Sequence, residues 1–130
     1  MKIGLVLSGG GVRGIAHLGV LKAIKDKGIP ISSISGTSAG AIAGAFFAQG
    51  VDPFETFEIF LKTHFFKILR LAFGRPALLN LEYTEAFFKS HLPENSFESL
   101  QKPLFVCATN FSKGKSVYFN EGELIPKVLA

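Results

Sequence analysis

Two glycine-rich segments near the start of the chain contain the residue types that acyl transfer requires. Residues 36–40 read Gly-Thr-Ser-Ala-Gly, a G-x-S-x-G pattern with Ser38 at its centre. In this pattern the serine occupies a strained turn between a strand and a helix, and the flanking glycines leave room for the tight backbone. The dipole of the following helix would stabilise negative charge developing at the serine. The pattern predicts a catalytic Ser38 in an elbow formed by Gly36, Thr37, Ala39 and Gly40.

The other segment, Gly9-Gly10-Gly11-Val12-Arg13-Gly14, predicts the groups that would assist this serine. Backbone N–H groups of a glycine-rich loop can point at the oxygen that becomes negative when a serine attacks an ester, and losing one such donor typically costs about 10²–10³ in rate. We expect the oxyanion hole to comprise Gly9, Gly10, Gly11, Arg13 and Gly14. Arg13 would either steady the loop or attract an anionic head group, and the sequence leaves both roles open.

The glycine loop also matches G-x-G-x-x-G, a pattern found in dinucleotide-binding folds. That function needs an acidic residue at the end of the next strand to bind a ribose hydroxyl, and this strand ends in Ile34-Ser35-Gly36-Thr37. A phosphate-binding P-loop needs Gly-Lys followed by Ser or Thr, which the loop lacks. By chance, a chain of this composition would contain about 0.1 matches to G-x-S-x-G and about 0.16 matches to G-x-G-x-x-G, so each motif alone is weak evidence. The evidence for acyl transfer is therefore their joint placement, each directly after a predicted strand and before a helix. The alternative is that the glycines only permit close packing of helix on strand.

The elements around the two segments predict that they meet. Ile3–Leu7 and Ile31–Ser35 are short apolar runs typical of buried strands, and each precedes a glycine segment and then a helix. The order strand, helix, strand, helix implies parallel strands joined by right-handed crossovers. Both glycine segments should therefore open at the same edge of the sheet, where ligands bind in open α/β folds.

The remaining sequence predicts further elements. They are a helix from Asp52-Pro53 to near Gly74, a helix over Thr84–His91, a strand over Leu104–Ala108, a hairpin turn at Ser112–Lys115 leading into Ser116–Phe119, and a helix over Glu123–Ala130. The first of these helices is rich in phenylalanine with lysine and arginine interspersed. We favour a core helix with a basic outer face, and the alternative is a helix that lies on a lipid surface.

Composition limits the classes of protein. The chain has 130 residues, 48% of them hydrophobic, which indicates one folded domain and excludes disorder. The net charge of +4 favours anionic surfaces but is too small to indicate nucleic-acid binding. The lone Cys107 excludes an intramolecular disulfide and a cysteine metal cluster. No secretory signal or membrane span is evident, so we expect a cytoplasmic location that allows peripheral contact with the inner membrane face.

The chain resembles the patatin-like phospholipase family, above all its small bacterial members and its neuropathy-target-esterase branch. The resemblance rests on the first strand, both glycine segments and His17-Leu18-Gly19-Val20-Leu21, and it extends to Pro103–Asn110 and Tyr118-Phe119. It implies an α/β fold, a three-layer sandwich with a mainly parallel central sheet, of which residues 1–130 would be the N-terminal portion. It also implies a serine acyl-ester hydrolase of phospholipase A, lysophospholipase or esterase type, acting on phospholipids or other acyl esters without cofactor or metal.

The same resemblance implies a Ser–Asp dyad whose aspartate lies in an Asp-Gly-Gly or Asp-Gly-Ala motif. The two aspartates of this chain, Asp26 and Asp52, are not followed by glycine, and we expect both at the sheet edge opposite Ser38. The chain is therefore expected to stop inside the fold, before the dyad aspartate. Two hypotheses follow: a serine acyl hydrolase whose base is an aspartate beyond residue 130, or a catalytically incomplete member that binds acyl lipid or a partner protein.

His17 is the histidine closest in sequence to the glycine loop and could replace the missing base in a Ser-His-Asp triad. No acid is placed to orient its imidazole, so we favour packing or a local hydrogen bond as its role.

Overall fold

A computed structural model describes residues 2–63, 65 and 81–130. The elements are β1 (Ile3–Leu7), α1 (Ala16–Asp26), β2 (Ile31–Gly36), α2 (Ala39–Gln49), α3 (Pro53–Lys62), α4 (Leu81–His91), β3 (Leu104–Asn110), β4 (Lys115–Phe119) and α5 (Ile125–Val128). Part of the predicted glycine loop is wound into a short 3-10 helix, Gly11–Ile15. The final helix is shorter than predicted, and the predicted continuation of α3 towards Gly74 lies outside the described residues.

The strands of the described chain form one four-stranded sheet in the order β1–β2–β3–β4. β1, β2 and β3 are parallel, and β4 returns antiparallel to β3 through the predicted hairpin. Leu7 is level with Gly36, and Gly36 is level with Val106. Because neighbouring strands lie about 4.8 Å apart, the segments that follow β1 and β2 emerge side by side. The predicted α/β class and the shared sheet edge are both confirmed.

Helix α2 lies against the three parallel strands and is buried along nearly its whole length. Its sequence, AGAIAGAFFAQ, consists largely of alanine and glycine, and these small residues let the helix backbone approach the sheet. A side chain at Gly44 would come within 3.1 Å of Ile34 and 3.2 Å of Leu104. This packing fixes the first turn of α2, and hence Ser38 just before it, against the carboxyl ends of the strands.

Phenylalanine rings from three parts of the chain form one cluster in the core. Phe46 of α2 packs edge-to-face against Phe60 with centroids 5.2 Å apart, and Phe60 stacks on Phe65 at 4.4 Å. Phe87 and Phe88 of α4 complete the cluster. Such pairs contribute about 0.5–1.5 kcal/mol each beyond the burial of area. In its described part, the phenylalanine-rich segment is therefore the core helix that the sequence analysis favoured.

Asp52 caps α3 and joins it to α1. Its side chain accepts a hydrogen bond from the Phe54 N–H at 2.9 Å and from Lys25 Nζ at 2.6 Å. The Lys25 ammonium, together with the Phe54 N–H, lowers the pKa of the Asp52 carboxyl below its ordinary value. A carboxyl with a lowered pKa stabilises the fold above the ordinary aspartate pKa, and this contribution disappears as the pH falls through the lowered value.

We expect Asp52→Ala to destabilise the chain by about 1 kcal/mol at neutral pH, because α3 loses its cap. Thermal unfolding followed by circular dichroism should show a melting temperature about 4 °C lower. The difference should shrink as the pH falls below the ordinary aspartate pKa of about 4 towards the lowered value, at which the folded wild-type carboxyl becomes protonated. Asp26→Ala is the control, since Asp26 forms only an exposed pair with Lys22 and should change stability by less than about 0.5 kcal/mol. Equal stability losses in both variants would contradict the capping role.

Candidate active site

Ser38 occupies a strained backbone conformation directly before α2. Its φ of 51° and ψ of −124° lie in a region that residues with side chains rarely adopt. A serine before a helix usually caps it, but the Ser38 side chain makes no capping hydrogen bond. The residue is half-buried, so part of it is accessible from solvent. Strain at a single position of this kind is typical of functional sites.

Gly36 and Gly40 make this turn sterically feasible. A side chain on Gly36 would lie 2.6 Å from the backbone nitrogen of Ala41, and one on Gly40 would overlap the carbonyl of Leu7. The Thr37 N–H donates to that same Leu7 oxygen at 3.2 Å, which ties the elbow to the end of β1. The strand, the turn and the helix can approach this closely only because both positions lack Cβ atoms.

The glycine loop contacts the elbow at two points. A Cβ on Gly9 would lie 3.4 Å from the Cβ of Ser38, and a Cβ on Gly14 would overlap that of Ala39. Between Gly9 and Gly14 the loop turns at Gly11, whose φ is +54°. The structure therefore brings the two predicted segments into direct contact.

The loop also has backbone donors available. In the described chain, the N–H groups of Gly9 and Gly10 donate to no backbone oxygen, whereas Arg13 N–H is used internally, donating to the Gly10 carbonyl. The Arg13 side chain is exposed and forms no ion pair with any described residue. This arrangement suits Arg13 to a surface role better than to a contact with the elbow.

His17 makes the local hydrogen bond that the sequence analysis favoured. Its Nε2 lies 2.8 Å from the carbonyl oxygen of Ser8, the residue before Gly9. A carbonyl only accepts, so Nε2 carries the hydrogen and donates it. The sequence showed a histidine near the loop but gave no signal for this partner. The bond fastens the residue before the loop to α1 and leaves Nε2 without a lone pair for a base.

We expect His17→Ala to slow covalent labelling of Ser38 by a serine-directed fluorophosphonate by about 3–10-fold. This range corresponds to the loss of one hydrogen bond that positions the loop. Removal of a true general base would instead reduce the rate by about 10⁴ or more. The measurement is the labelling rate of folded protein at constant pH. A fall to the level of a chain without Ser38 would contradict the positioning role.

The two aspartates lie away from the elbow. Asp26 ends α1 and pairs with Lys22, and Asp52 lies three residues beyond the end of α2, which is about 16 Å long. Both stand at the opposite edge of the sheet, as predicted. Among the residues that the structure describes, no three His, Cys, Asp or Glu side chains gather as metal ligands. No helix in that same part of the chain is both long and apolar enough to cross a bilayer.

An apolar crevice begins beside the elbow. Gly14, Ala39, Leu18, Phe60 and Phe65 are among the residues that line it. Its free volume is about 10 Å³, roughly that of one water molecule, so an acyl chain could enter only if the crevice widened. A larger pocket of about 270 Å³ lies at the opposite edge, between Ile29 and Lys102, and includes no residue of the elbow or the glycine loop.

Comparison with known proteins gives relatives of one kind. The chain is 32% identical over 128 residues to lysophospholipase nte1 of Neurospora crassa, which covers 93% of this chain and 8% of the relative. It is 56% identical over 55 residues to lysophospholipase NTE1 of Eremothecium gossypii, a match that covers 42% of this chain and 4% of the relative. It is 51% identical over 57 residues to the Mycosarcoma maydis protein of the same name, a match that covers 44% of this chain and 3% of the relative. The chain thus spans less than a tenth of each of these relatives.

Among solved structures, a chain of the heterodimeric ExoU–SpcU complex from the type III secretion system of Pseudomonas aeruginosa matches with a TM-score of 0.71 at 23% identity. The match covers 98% of this chain and 35% of the other, and it shows a shared fold. The family model described as "Patatin-like phospholipase" matches residues 5–129, which include both glycine segments and all four strands but for two residues of β1. A match of this extent, on the same fold, shows that the chain belongs to the patatin-like phospholipase family.

Proposed function

We propose that the chain carries the nucleophile and the oxyanion hole of a lipid acyl hydrolase, with Ser38 as the nucleophile. The observation that carries the proposal is the strained Ser38 backbone with Gly9 packed against its side chain. Membership of the family and the lysophospholipase names of the relatives support lipid esters as the substrate class.

The proposed reaction proceeds in two steps. Ser38 Oγ attacks the ester carbonyl carbon as its proton passes to a base, and a tetrahedral intermediate forms. The N–H groups of Gly9, Gly10 and Ala39, the residue after the serine, would stabilise its oxyanion. The C–O bond to the leaving alcohol then breaks, the alcohol takes the proton, and an acyl-serine remains. Water attacks the acyl-serine, releases the fatty acid and restores Ser38.

The base is the part of this mechanism that the described residues do not supply. The resemblance assigns it to an aspartate in an Asp-Gly-Gly or Asp-Gly-Ala motif, and the 130 residues contain no such motif. We therefore propose that full turnover requires a carboxylate brought to the elbow from outside this set of residues. Hydrolysis by the chain alone should be slow, while reaction with an activated phosphonate should still occur at Ser38.

The position of the aspartates favours a second candidate function. With both described Asp side chains in ion pairs at the far edge, the chain could bind an acyl lipid or a partner protein without turnover. In that case Ser38 would be no more reactive than any other serine.

One experiment separates the two functions. The folded chain is incubated with a fluorophosphonate probe, digested and mapped by mass spectrometry. The hydrolase proposal predicts one label per chain, on the peptide that contains Ser38, while the other serines stay unmodified. A folded chain that takes up no label at Ser38 would favour the binding function.

A further inference from the structure

The hairpin between β3 and β4 projects from the same sheet edge as the elbow. β3 is parallel to β2, and Val106 is level with Gly36. The strand then continues for four more residues to Asn110, about 13 Å beyond the level of Gly36. We call residues 110–115 the hairpin tip. A flat surface brought against the elbow from above the sheet edge would also meet this tip.

The hairpin tip combines an exposed aromatic ring with two exposed cations. Phe111 is 96% exposed, the highest value among the exposed large hydrophobic residues of the described chain. Lys113 and Lys115 are also exposed, and neither pairs with a carboxylate of the described chain. Single exposed apolar residues are common. An aromatic ring flanked by lysines is more specific, because it matches the acyl and phosphate layers of an anionic membrane surface.

The turn holds this group of side chains in a defined conformation. Asn110 Oδ1 accepts a hydrogen bond from the Lys113 N–H at 3.0 Å, and Gly114 adopts a φ of +58° that favours glycine. The register of β3 and β4 continues to the pair Asn110 and Lys115. Phe111 is thus presented by a closed hairpin, so binding through it requires little further ordering.

Charge is distributed so that the elbow edge is basic. Three segments of the described chain emerge there, residues 8–15, 37–39 and 110–115, and they contain Arg13, Lys113 and Lys115. None of the ten aspartates and glutamates of the chain falls in them. The two aspartates, Asp26 and Asp52, lie at the other edge, where each pairs with a lysine. An anionic surface would therefore be attracted to the edge that holds Ser38.

We propose that the hairpin tip docks the chain on an anionic lipid surface, with Phe111 inserted between acyl chains and Lys113 and Lys115 against lipid phosphates. This orientation would present Ser38 to the lipid layer, and in this respect the proposal rests on the proposed function. It assigns membrane contact to the hairpin tip and leaves the phenylalanine-rich helix, with Phe60 and Phe65 in the core, as a structural element.

The test is sedimentation of the Ser38→Ala chain with vesicles of phosphatidylcholine, with and without phosphatidylglycerol. We expect binding to the anionic vesicles that weakens as the salt concentration rises. Adding Phe111→Ala should weaken it about tenfold. The pair Lys113→Gln and Lys115→Gln should weaken it about fivefold per lysine and remove the preference for phosphatidylglycerol.

Matched controls lie at the opposite edge. Phe54→Ala removes another exposed phenylalanine, and Lys27→Gln with Lys102→Gln removes two lysines. These variants should bind the vesicles like the parent chain. Equal binding of the Phe111→Ala chain, or failure of the parent to bind anionic vesicles, would overturn the proposal. Loss of self-association in Phe111→Ala during sedimentation velocity, without loss of vesicle binding, would instead show a contact between copies of the chain.

The outcome is separable from that of the proposed function. Phe111→Ala in a chain that retains Ser38 should leave fluorophosphonate labelling in solution unchanged, because the probe needs no surface. If Ser38 fails to label while the tip variants still lose vesicle binding, the docking surface stands and the hydrolase fails. If Ser38 labels normally while the tip variants bind vesicles unchanged, the docking proposal fails alone.

Discussion

Ser38→Ala is expected to abolish fluorophosphonate labelling of the chain and any hydrolysis of a soluble short-chain ester. Alanine keeps the Cβ that packs against Gly9 but removes the only atom able to form the acyl bond. In serine hydrolases, loss of the nucleophile reduces kcat by up to about 10⁶, and the remaining rate reflects binding and the oxyanion hole. We expect the labelled fraction to fall to the background of heat-denatured protein.

Ser35→Ala is the matched control for this experiment. Ser35 lies three residues earlier, inside β2, where it is level with Val6 of β1 and Phe105 of β3. Its replacement should leave both the labelling rate and the melting temperature unchanged. The Ser38→Ala chain should also remain folded, because alanine keeps the Cβ and the Ser38 side chain makes no capping hydrogen bond that would be lost. Persistent labelling of Ser38→Ala on another serine would refute the assignment of the nucleophile.

The sequence was sufficient to predict the elbow because its determinants are local. An apolar run that ends in glycine, followed by a serine two residues later and then a run of alanines, permits a strand, a tight turn and a buried helix in that order. The shared sheet edge also followed, since parallel strands with right-handed crossovers end on the same side. These predictions needed no knowledge of long-range contacts.

Features that depend on long-range contacts could not be predicted in the same way. Helical spacing of phenylalanines is the same in a core helix and in a lipid-binding helix, and only the rings of Phe46 and Phe87 around Phe60 decide between them. The hydrogen-bond partner of His17, the Ser8 carbonyl, depends on the position of α1 relative to the glycine loop, which is set by tertiary packing. The exposure of Phe111 depends on β3 extending to Asn110, and the polar Thr109 and Asn110 gave no strand signal.

Gly40→Ala is expected to destabilise the chain by at least about 3 kcal/mol. The added methyl group would overlap the carbonyl of Leu7 and lie 2.6 Å from that of Ser8, and both are backbone atoms that cannot rotate away. Either β1 or α2 must shift, and such overpacking costs about 1–3 kcal/mol even where side chains can adjust. The melting temperature should fall by about 10 °C or more.

Gly19→Ala, the same change of glycine to alanine, is expected to stabilise the chain. Gly19 lies in α1 with nothing within 4 Å of the added Cβ, so alanine should stabilise the helix by up to about 1 kcal/mol. The contrast between the two variants isolates the close approach of β1 and α2 from the general helix preference for alanine. A Gly40→Ala chain as stable as the wild type would contradict the close approach of α2 to the end of β1. The shift of β1 or α2 that Gly40→Ala requires would also move Gly9 relative to Ser38. Any folded fraction of this variant should therefore react more slowly with the fluorophosphonate.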